Sequence, residues 1–145
     1  MNPNTVLNIC FGAFIIIMGT FYKLGFIKNS LEYYCAFIAV LISIIILFSK
    51  SIQLLDFSHF AYFGLYFLPM ALFSNNKYFL SLNILMLFNI ILSRQYFHRC
   101  ILNDKQNNKG FFYSISSTVY SYFDWFSYYI SALFIVTLIR LYTLL

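Results

Sequence analysis

Charge is what this chain has least of: 9% of its 145 residues are Asp, Glu, Lys or Arg, where a soluble domain carries about a quarter. So few polar side chains cannot clothe a water-facing globule. One glutamate, Glu32, and three aspartates, Asp56, Asp104 and Asp124, leave little for a two-carboxylate mechanism or a proton wire. The chain also lacks a GxGxxG turn, a Walker loop, HExxH, a Gly-x-Ser-x-Gly elbow and the TVGYG of potassium filters. Three cysteines, Cys10, Cys35 and Cys100, form neither CxxC nor a His-Cys cluster of metal spacing, so they read as buried thiols and not as a disulfide scaffold. No enzyme activity, metal or cofactor is expected. A bis-histidine haem would need His59 and His98 at matching depth, yet His98 follows Arg94 in a basic stretch.

What the chain does have is apolar length. It is 62% hydrophobic and 23% aromatic, with a mean hydropathy of +0.81. The window 33–48 contains no charge and is bracketed by Glu32 and Lys50. At ~1.5 Å per residue, a helix between those charges approaches the ~30 Å hydrocarbon thickness of a bilayer. The pattern predicts an all-α, polytopic membrane bundle, one domain over 1–145, with helices over about 5–22, 33–48, 52–73, 78–97 and 112–145. The third should kink at Pro69, which removes a backbone donor. The last should break near 123, where Phe111, Ile115, Val119 and Tyr122 recur at the spacing of a helix lying in the interface.

Nine Lys and Arg against four Asp and Glu give a formal charge of +5, with the bases set singly or in pairs between apolar runs. There they meet headgroups and set topology, which excludes nucleic acid as the expected partner. With five crossings, Lys50, Arg94, Arg99, Lys105 and Lys109 share one side and Lys23, Lys28, Lys77 and Arg140 the other. If 52–73 fails to cross, the positive-inside bias sharpens, so the expectation is four or five crossings. Arg140, near the end of the last run behind the belt residues Trp125, Tyr128 and Tyr129, is expected to snorkel to headgroups.

Four polar residues are candidates at membrane depth: Asp56, His59, Asn83 and Asn89. Asp56 precedes His59 by one turn, and His59, Tyr62 and Tyr66 share a helical face. The pair could serve proton transfer; the plainer reading has Asp56 and Asp124 capping helix starts. Asn83 and Asn89 read as bonds between helices. On the first run, Asn8, Gly12, Gly19 and Lys23 fall within about 60° of one another on a helical wheel, a narrow stripe suited to helix packing in lipid.

Two short stretches resemble parts of known families. GAFIIIMGTFYK, around Gly12, Gly19 and Lys23, resembles the first helix of DoxX-like four-span proteins. FNIILSRQYF, around Asn89 and Arg94, resembles the helix end of GtrA-like flippase subunits, from which the extra span after Lys109 departs. Each covers one helix and they point to different families, so neither carries a function across.

The expectation is a non-catalytic accessory subunit of a larger membrane assembly, partnered by lipids and by other subunits or itself. The alternative is a small oligomeric transporter, channel or lipid-flipping protein whose path includes Asp56, His59, Asn83 and Asn89. Codon-driven residue usage, rich in Phe, Tyr, Ile and Asn, points to an AT-rich genome. An organelle inner membrane, a bacterial plasma membrane and a viral membrane remain equal expectations.

Overall fold

The computed structural model describes residues 2–98, 100–106, 109–111 and 125–145, with the backbone alone at 103, 104, 125 and 126. Arg99, Asp124 and the expected interfacial helix before 123 lie outside the described residues. The described chain is helical, with no strand among the described residues. Its elements are α1 (Pro3–Lys23), α2 (Ser30–Phe48), α3 (Ile52–Ala61), a π-helical stretch (Tyr62–Phe67), α4 (Leu68–Phe73), α5 (Lys77–Phe97), α6 (Ile101–Lys105) and α7 (Trp125–Leu144). Among the described residues, four helices are long and apolar enough to cross a membrane: α1, α2, α5 and 127–144 of α7.

The starts of these helices are written in small polar residues. Asn2, Asn29, Ser51 and Asn76 each accept a hydrogen bond from a backbone N–H of the first turn, as N-caps do. Asp56 therefore does not cap α3: Ser51 does, and Asp56 stands a full turn inside. α1 closes with Gly25 at φ +69°, the left-handed position that glycine takes without strain. Phe26 N–H then donates to Phe21 O at 2.9 Å and Gly25 N–H to Tyr22 O at 3.2 Å, a Schellman closure. Its apolar clasp is the Phe21–Phe26 ring pair, 5.6 Å apart.

The bundle has two ends, here called proximal, where α1 begins, and distal. Distally, Glu32 is 2% exposed and gathers three chain segments. Its carboxylate accepts from Lys28 N–H (2.6 Å), Asn29 Nδ2 (3.0 Å) and Asn76 Nδ2 (3.2 Å), while Asn29 Oδ1 accepts from Glu32 N–H (2.9 Å). Asn76 Nδ2 also donates to Phe26 O at 2.6 Å. Beside it, Arg140 donates to Ser74 O (2.6 Å) and Asn75 Oδ1 (2.8 Å). Arg140 is thus bound to the turn between α4 and α5, whose oxygens accept from its guanidinium.

The 52–73 segment is one helix in three pieces. Pro69 has no N–H to offer the preceding turn, and the chain answers by widening upstream: Leu68 N–H donates to Phe63 O, five residues back. Phe63 O also accepts from Tyr129 Oη at 2.9 Å, which pins α7 against the widened turn. The segment starts beside Gln106 at the proximal end and finishes at the Ser74–Asn76 turn distally. The core fills the space around it with Leu7, Phe14 and Met18 of α1, Cys35 to Ile46 of α2, Tyr66 to Ala71, and Phe79 to Leu87 of α5.

Between the expected fourth and fifth helices the sequence reading places no element, yet the chain forms α6 there, and Leu102 and Gln106 are buried. α6 wedges under the proximal end against α1 and α5, because the apolar Cys100, Ile101 and Leu102 before the polar run need cover.

Candidate functional site

Three of the buried polar side chains lie along one helix face. His59, Tyr62 and Tyr66 are each at most 3% exposed, and the widened π-helical turn keeps the two tyrosines in register, with ring centroids 5.5 Å apart. Each stands near a thiol: His59 Nε2 is 3.5 Å from Cys100 Sγ, Tyr62 lies by Cys10 and Ser43, and Tyr66 by Cys35. Phe11, Phe14 and Phe67 close around the tyrosines with centroids 5.0 to 6.0 Å away. The Tyr66 hydroxyl is fully buried and makes no hydrogen bond among the described residues, so it contributes a desolvation cost without return. Tyr66→Phe is therefore expected to leave stability unchanged or raise it by about 1 kcal/mol, read as the thermal midpoint in detergent. A clear loss would show that the hydroxyl is bonded.

Asp56, one turn before His59, is near enough for its charge to act on the imidazole and also holds partners from beyond α6. Its carboxylate accepts from Gln106 Nε2 at 2.7 Å and from Phe111 N–H at 2.8 Å. The loop comes so close that a Cβ on Gly110, at φ +105°, would sit 2.6 Å from Asp56 Oδ2. Asp56 thus anchors the segment after α6. Lys105 does similar work for α2: its ammonium donates to Ile46 O and, at 2.8 Å, to Leu47 O, meeting the negative end of that helix. Partial burial pushes the Lys105 ammonium below the ordinary lysine value.

The remaining expected residues do not converge on one path. Asn83 is buried and its Nδ2 donates to Thr137 Oγ1 at 3.2 Å, tying α5 to α7. Asn89 is exposed and bonds Leu85 O of its own helix at 2.9 Å. The stripe of Asn8, Gly12, Gly19 and Lys23 faces out of the bundle, with nothing within 4 Å of a Cβ at either glycine, so among the described residues it packs nothing. The inward face of α1 is instead its large residues, Leu7, Phe14 and Met18. Lys23, Lys28 and Lys109 are exposed and Arg94 is half-buried. His98 is exposed at the end of α5, in the left-handed conformation with φ 55°, whereas His59 is buried. Among the described residues no three of His, Cys, Asp and Glu gather as a metal site.

His59, Asn89 and Arg94 do share a cavity of about 330 Å³. It lies between α1 and α5, which touch distally through Phe21 and Phe79 at 5.6 Å and are wedged apart proximally by α6. Tyr62 and His59 form part of its floor, and Cys10 and Cys100 its sides.

Sequence reasoning missed Glu32 and Asn76. The signal was present: Asn29 followed three residues later by Glu32, directly before an apolar run, is a capping-box spacing. Comparison with protein-family models, curated proteins and solved structures finds no match.

Proposed function

We propose that the chain is a five-crossing integral membrane protein serving as a non-catalytic subunit of a larger membrane assembly, with the 52–73 segment as its third crossing. What supports the reading is how the buried polar side chains are used. Glu32, Asn76, Asn83, Gln106 and Thr137 cap helices or tie them together. The outside is left to residues such as Ile16, Phe48 and Tyr142, each more than two-thirds exposed. Such a surface suits lipid and neighbouring membrane helices. The outward small-residue stripe on α1 offers those neighbours close backbone approach.

Extraction from native membranes in mild detergent, with size analysis and cross-linking at each step, tests the subunit role. Co-purifying membrane proteins or copies of itself are expected. A lone monomer throughout overturns it.

A transport or lipid-flipping role draws support from one observation, the shared cavity of His59 and Asn89. It draws none from Asp56 and Asn83, which are spent elsewhere. Proteoliposomes without flux or flipping under any gradient would remove it.

A further inference from the structure

We propose that two copies of this chain pair about a two-fold axis along the outward face of α5, with Asn89 of one copy hydrogen-bonded to Asn89 of the other. The inference rests on membrane residence and deepens the subunit reading by naming one partner. Leu85, Asn89, Leu92 and Tyr96 are all exposed on α5, the three large ones at 52%, 49% and 71%. They follow one another at intervals of four, three and four residues and fall within about 60° on a helical wheel. That is the seam of a left-handed helix pair. The seam carries no charge. Its apolar members alone would not bring two helices together in lipid, where tails serve them as well as a partner does.

Asn89 supplies the reason to pair. It stands five residues before Arg94, about 7.5 Å further in along the helix axis, on a helix of membrane length and hydropathy. Its Nδ2 donates to Leu85 O at 2.9 Å, which uses one of two amide protons, and its Oδ1 accepts nothing among the described residues. Lipid tails offer that amide nothing. Asn83, on the inward face, shows what the fold does with an amide when a second helix is at hand: it donates across to Thr137 Oγ1. For Asn89 the matching group is another Asn89. Two copies inserted in the same orientation bring it to the same depth on parallel helices, and an amide both donates and accepts. The spacing puts it at the seam position where a single asparagine fixes the register and the number of strands in a parallel pair. A contact in which each residue meets its own counterpart is isologous, so it closes at two copies.

The test begins with disulfide cross-linking of the full chain in native membranes, in a background carrying Cys10→Ser and Cys100→Ser. Leu85→Cys and Leu92→Cys should each give a linked dimer, whereas Ile16→Cys on α1 and Ile139→Cys on α7, which are also exposed, should not. Energy transfer between labelled copies in phosphatidylcholine vesicles, at falling protein-to-lipid ratio, then gives the dissociation constant. Asn89→Leu should raise it about ten-fold, the size of an amide bond between membrane helices, and Asn89→Gln, which keeps the amide, should raise it less. Leu85→Trp, which blocks close approach without touching the amide, should also raise it. Cross-links through Ile16→Cys or Ile139→Cys in place of the α5 sites overturn the face, and an unchanged constant in Asn89→Leu overturns the amide pair. Other membrane proteins co-purifying with a chain that forms no cross-link to itself overturn the dimer and leave the subunit reading standing. A monomer with no companion of any kind overturns both.

Discussion

Replacing Glu32 by leucine is expected to cost about 3 kcal/mol of stability, from hydrogen bonds to a charged group worth ~1.5–3 kcal/mol each, only part of which survives relaxation. The carboxylate is buried and three donors converge on it from Lys28, Asn29 and Asn76. Leucine conserves bulk and apolar contact while leaving those donors facing methyl groups. Two linked losses follow: the start of α2 loses its reciprocal cap, and the turn before α5 loses its tie to α2. Glu32→Gln keeps one acceptor and should cost about a third as much. Circular-dichroism melts in detergent give the order wild type, glutamine, leucine. Alkylation of Cys35, which is wholly buried, mapped by mass spectrometry, reports the same order locally. Equal midpoints for wild type and the leucine variant would dismiss the network as a source of stability.

Gly110→Ala is expected to lose about 2 kcal/mol, for two separable reasons. A backbone held at φ +105° strains any residue with a Cβ by ~1–3 kcal/mol, and here the new methyl also meets both Asp56 carboxylate oxygens, at 2.6 and 2.7 Å. Asp56→Ala alone should cost about 2 kcal/mol, since it strips acceptors from buried Gln106 and from Phe111 N–H. The pair separates the causes. In the Asp56→Ala background the collision is gone and only backbone strain remains, so the double variant should lose less than the sum by about 1 kcal/mol. Amide exchange over 100–111 is the direct readout. Strict additivity would mean that the loop does not wrap the carboxylate.

Both predictions fall on residues whose chemistry could be seen in the chain but whose partners could not. Glu32 could be found as the last residue of a capping box, yet Asn76, its partner from the α4–α5 turn, is 44 residues away. Asp56 and His59 invited pairing because they are one helical turn apart. Gln106 and Phe111, fifty or more residues on, also bond the carboxylate, and nothing local announces them. The small-residue stripe on α1 was legible as a face, but not as the outward one. Hydrophobic content could not settle it, because in a membrane chain the residues that meet lipid are as apolar as those that meet protein.

The chain by itself determined the class of the molecule, because helical segments of membrane length and few charges depend only on local composition and on the thickness of a bilayer. The disturbance expected around Pro69 is likewise local, since a missing donor acts within a turn or two. Tertiary structure alone decided that this disturbance takes the form of a widened turn, and that α6 tucks under the bundle and props α1 from α5. Those outcomes depend on which distant side chains fill a given space. A cavity is the remainder of that filling, and no stretch of sequence contains it.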